Sequence, residues 1–109
     1  MGRSTTSQRK AAIKATMHGT ERYNRHEYLK AEEAFMKALE EDPGYARAHL
    51  YLGNTLHKLG RQEEAAAQWK KAVIVEPDSE SAEKARQKLD GISSGLRGAT
   101  RNLEEWLRR

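Results

Sequence analysis

Four histidines, His18, His26, His49 and His57, are the residues of this chain best suited to hold a metal ion or move a proton. They fall in two pairs, and within each pair the spacing is eight residues. Eight residues turn a helix by about 800°, leaving the two rings roughly 80° apart in azimuth and two turns apart along the axis. An i, i+4 pair can chelate one ion, whereas these pairs cannot. A metal site would have to bring His18 and His49 together from different helices, so packed or solvated histidine is the reading the spacing favours. Carboxylates occur in runs, Glu32-Glu33, Glu40-Glu41-Asp42, Glu63-Glu64 and Glu104-Glu105. These fall on the outer faces of predicted helices, where nothing sets one carboxyl apart from its neighbour as acid and base catalysis requires.

Other catalytic signatures are missing. The sequence has no G-x-S-x-G, no G-x-x-x-x-G-K-[ST] and no G-x-G-x-x-G, and the absence of cysteine removes thiol nucleophiles, thiolate metal sites and disulfides. GISSGLRG, starting at Gly91, follows a predicted helix and lacks the lysine and strand of a phosphate loop. It reads as a flexible turn. The expectation is therefore of a protein that is not an enzyme, with no catalytic residue, metal or cofactor. What remains to explain is surface, and the elements that position it.

Those elements come from a duplicated pattern. AEEAFMKALEEDP, from Ala31 to Pro43, is followed 34 residues later by AAAQWKKAVIVEP, from Ala65 to Pro77. Ala31 matches Ala65, Phe35 matches Trp69, Ala38 matches Ala72 and Pro43 matches Pro77. In the first copy Ala31, Ala34, Phe35, Ala38 and Leu39 make one helical stripe, with Glu and Lys opposite. Small residues at Gly19, Gly53, Ala31, Ala65, Ala38 and Ala72 let helix axes approach, while Phe35 and Trp69 fill the larger gaps. Pro43 and Pro77 end one helix and open the next. Gly60 acts as a C′ glycine, and Gly91 is expected to repeat that role. A unit of this kind cannot bury its apolar face alone, so copies must stack.

The 34-residue spacing, with Gly19 and Gly53 at position eight, Ala at twenty, an aromatic at twenty-four, Ala at twenty-seven and Pro at thirty-two, resembles the tetratricopeptide repeat (TPR). The resemblance implies an all-α fold, an α-solenoid of about three stacked antiparallel helix pairs. Its units would be 12–45, 46–79 and a degenerate 80–109, the last either a third pair or a capping helix plus a C-terminal helix. Residues 1–9 would form a disordered basic tail ahead of a 10–109 domain. Leu103, Trp106 and Leu107 would cap the array, or alternatively join two copies into a homodimer.

The resemblance also implies a concave groove lined by the first helix of each unit. The groove residues would be Tyr23, Asn24, Arg47, Leu50, Asn54, His57, Lys58, Lys84 and Lys88, with four cations and no carboxylate. Cations in a cleft attract the opposite charge. The family's carboxylate clamp is absent, because its positions hold Thr16, Thr20, Tyr51, Ser81 and Ala85. The expected function is a protein–protein interaction module, an adaptor that holds an acidic protein or peptide segment. A self-assembling structural scaffold is the alternative. Nucleic acid is a weaker fit despite the net charge of +4 and pI near 9.5, because no block of five or six like charges occurs. No apolar run approaches the roughly 20 residues of a membrane span, and the N-terminus lacks a secretory h-region. The expected location is the cytoplasm.

Overall fold

The structure, a computed structural model, describes residues 5–92. Four helices follow one another, α1 (Thr6–Asn24), α2 (Tyr28–Glu41), α3 (Ala46–Lys58) and α4 (Gln62–Val75), and a fifth, α5, occupies residues 80–92. α1 packs on α2, α3 on α4 and α2 on α3. This is an all-α helical repeat solenoid: two helical hairpins and the opening helix of a third unit. The proposed cap or dimerisation segment, 96–109, lies outside the described residues.

Each hairpin turns in the same way. After α1, His26 N–H donates to Tyr23 O and Glu27 N–H to Arg22 O; after α3, Gly60 N–H donates to His57 O and Arg61 N–H to Leu56 O. These paired bonds from positions C′ and C″ form the Schellman motif, which needs a left-handed residue at C′. Gly60 takes it at φ 80° and His26 at φ 63°. An L residue with a Cβ pays about 1–2 kcal/mol there. The His26 ring bonds the Tyr28 hydroxyl at 2.7 Å.

Two boundaries differ from the sequence reading. The tail was expected to run through residue 9, but α1 already starts at Thr6. Thr5 Oγ1 accepts from Gln8 N–H and Gln8 Oε1 accepts from Thr5 N–H, a reciprocal capping box. One turn on, Arg9 is anchored by Asp42 and Glu76. Burial pulls against the Arg9 charge, but its hydrogen bonds to these two carboxylates outweigh it and hold the guanidinium above its ordinary pKa. Gly91 does not end α5, which continues to residue 92. Ile92, the next residue, packs against the main core.

That core runs through Ala31, Phe35, Leu50, Leu56, Trp69 and Ala85. Phe35 sits over Gly19 and Trp69 over Gly53 so closely that a Cβ at either glycine would overlap the ring. At the other end of the array, Lys14 and His18 are exposed where the second unit has buried Ala48 and Leu52. α2 covers the second unit's face, and among the described residues no helix covers the first.

Two outcomes follow for stability. Trp69→Ala loses about 3–5 kcal/mol, and Gly53→Ala loses about 1–3 kcal/mol through overpacking despite alanine's better helix propensity. Combined in one chain, they cost less than their sum in urea titrations, because the new methyl no longer meets a ring; strict additivity would deny the contact. Separately, His26→Gly raises stability by about 0.5–1 kcal/mol by relieving the left-handed strain, read as a higher denaturant midpoint at unchanged slope.

Candidate functional site

The stacking of three helix-A elements, α1, α3 and α5, beside α4 leaves a cavity of about 500 Å³. Its apolar walls are Tyr23, the edge of Trp69 and Ile92. Its polar lining is Asn54, His57, Lys58, Gln87 and Lys88. No carboxylate lines it. Among the described residues neither Lys58 nor Lys88 has a carboxylate within ion-pair distance, and both side chains are exposed.

Two bonds decide which atoms face this space. Trp69 Nε1–H donates to Asn54 Oδ1 at 3.1 Å. Indole is only a donor, so the amide oxygen must face it and the Asn54 NH2 group is left as a donor. His57 Nδ1 lies 2.6 Å from Gln62 Oε1. An oxygen accepts, so Nδ1 carries the proton and Nε2 is the nitrogen left over. The His57 ring also leans against Trp69, with centroids 5.9 Å apart. Burial, followed by the neighbouring Tyr28 and Tyr51 hydroxyls, raises the Tyr23 phenol above its usual 10.0, so it stays neutral across the physiological range.

Of the residues drawn from the sequence, Tyr23, Asn54, His57, Lys58 and Lys88 are brought together in this cavity. The other four are not. Leu50 is 3% exposed and belongs to the core, so it offers a ligand almost nothing. Asn24 is exposed at the end of α1, outside the lining. Arg47 lies over the Tyr51 ring at 5.5 Å, a cation–π contact elsewhere on α3. Lys84 pairs with Glu80 at 3.3 Å, one turn back on α5. A groove of four unopposed cations is thereby corrected: Glu80 stands beside one of them, and two converge.

Sequence reasoning missed Gln62 and the exposed edge of Trp69. Nothing in the repeat pattern marks Gln62, since its role comes from a side chain reaching back across the α3–α4 turn. Trp69 was legible as a core residue, and at 2% exposed it is one; its second role depends on which edge faces the cavity. His49 is spent structurally, with its nitrogens on Gln68 Oε1 and Pro43 O. Among the described residues no group of three His, Asp or Glu could hold a metal ion, and no helix is long and apolar enough to cross a membrane.

Residues 16–82 match the tetratricopeptide repeat family. The match covers more than half of the chain, and the protein belongs to that family. Its repeats generally mediate protein–protein interaction, and the family is typically a non-enzymatic interaction module. No curated protein sequence matches the chain.

The Asn54–Trp69 bond generates a test. Asn54→Leu leaves the indole N–H without its acceptor in a nearly buried setting and costs about 1–3 kcal/mol. Tryptophan fluorescence shifts with it, while Asn24→Leu, on an exposed residue, leaves both stability and emission unchanged.

Proposed function

We propose that the protein is an adaptor that holds an acidic segment of a partner protein in the groove formed by α1, α3 and α5. One observation carries this reading: Lys58 and Lys88 converge on a cavity with no lining carboxylate in a segment, residues 31–95, that holds nine basic residues against twelve acidic ones. Charge of one sign collected in a concave site, against the local average, raises the local concentration of the opposite charge. Lys58 and Lys88 pair the partner's carboxylates, the Asn54 NH2 donates to its backbone carbonyl, and Tyr23, Trp69 and Ile92 take an adjacent apolar side chain. A longer segment would continue toward Arg47.

A labelled peptide of eight glutamates serves as the probe. Lys58→Glu/Lys88→Glu weakens its binding at least about tenfold, as reversal of two opposing charges does, without lowering the melting temperature, because both lysines are exposed. Binding also falls between about 20 mM and 150 mM salt, since such pairs are screened over roughly 8 Å at the higher value. An affinity that ignores both the reversal and the salt would refute the basic-groove reading.

A further inference from the structure

The cavity contains one group whose hydrogen-bonding character opposes the rest. Asn54 is held by Trp69 with its NH2 outward, and Lys58 and Lys88 can only donate. His57 is different. With Nδ1–H donating to Gln62 Oε1, neutral His57 is left with a lone pair on Nε2, an acceptor in a site otherwise suited to acceptors. A carboxylate entering the cavity meets three donors and one repelling lone pair.

Protonation removes the conflict. The imidazolium keeps its Nδ1–H bond to Gln62 and gains an Nε2–H donor and a positive charge. No rearrangement is needed, because the bond that fixes the ring is the same in both forms. We propose that His57 makes this groove an acid-favoured carboxylate site, in which protonation supplies the third cation beside Lys58 and Lys88. The proposal rests on the acidic-segment reading above and adds its regulation.

The groups around His57 support a response on its own protonation. α1 contributes Tyr23, neutral in the relevant range. α3 contributes Lys58 and α5 contributes Lys88, both of fixed charge there. α4 opens with Glu63 and Glu64 beside Gln62, and Glu64 is tied to Arg61, which also pairs with Glu32. Lysine, arginine and glutamate keep one charge between pH 5.8 and 8, whereas histidine changes in that interval. Of the other histidines, His49 is enclosed by Gln68 and Pro43, His26 lies on the first turn against Tyr28, and His18 lines a separate surface with Ala11, Ala15 and Ala34.

The test uses the full chain and rhodamine-labelled octaglutamate, read by fluorescence anisotropy at about pH 8 and about pH 5.8. Wild type binds about three- to fivefold tighter at the lower pH, as one added partly exposed charge pair allows. His57→Gln flattens this dependence, and His18→Gln retains it. Binding takes up protons at intermediate pH, visible by calorimetry as heat that depends on the buffer. Binding that is equal at both pH values, or a pH dependence that survives His57→Gln, overturns this inference and leaves the basic groove standing. Octaglutamate that binds at neither pH overturns both.

Discussion

Everything in this array depends on how closely two helices of one hairpin can approach. At Gly19 against Phe35, and again at Gly53 against Trp69, the first helix gives up its side chain so that an aromatic ring can lie on its backbone. Helix pairs ordinarily sit 8–10 Å apart according to the side chains between them, and a glycine opposite a large ring is the arrangement that keeps the pair close while still filling the space. Phe35 is fully buried and Trp69 nearly so. The ring then reaches through to the neighbouring unit: Phe35 stacks on Tyr51 of α3 at 5.9 Å, which passes the register of the first hairpin to the second.

Function is built on the far side of the same contact. Because Trp69 lies flat against Gly53, its N–H comes within reach of Asn54, the next residue on α3, and its edge becomes a wall of the groove. One ring therefore fills the core, orients an amide and offers an apolar surface. The binding face of a solenoid is in this sense a by-product of its packing: residues one position away from those that pack are held rigid without further support.

How much could be read from the sequence follows from the same physics. Positions whose identity is forced by packing, Ala31, Phe35, Ala38, Gly53, Gly60 and Trp69, announced themselves because each has few alternatives and recurs 34 residues away. Arg9 did not, because its carboxylate partners Asp42 and Glu76 are distant in sequence and the bond depends on a long side chain crossing the end of the hairpins. Lys84 was placed on the correct helix, yet its pairing with Glu80 was passed over although the i, i+4 spacing was visible. Leu50 shows the limit of mapping by repeat position: the position faces the groove side of the helix, but a branched aliphatic side chain there turns into the core. Lys14 and His18 were legible as departures, and the structure shows them solvated where Ala48 and Leu52 are covered.

Arg9 also changes how such an array should come apart. A solenoid whose units touch only their neighbours unravels like a zipper, each end fraying in its own time. Here the second turn of α1 grips Asp42 at the close of the first hairpin and Glu76 at the close of the second, while Glu76 also accepts the Ala46 N–H that starts α3. The N-terminal end is thus fastened to both junctions at once. Loosening it releases three helix ends together, so that a chain of repeats gains the concerted, all-or-none character of a globular domain.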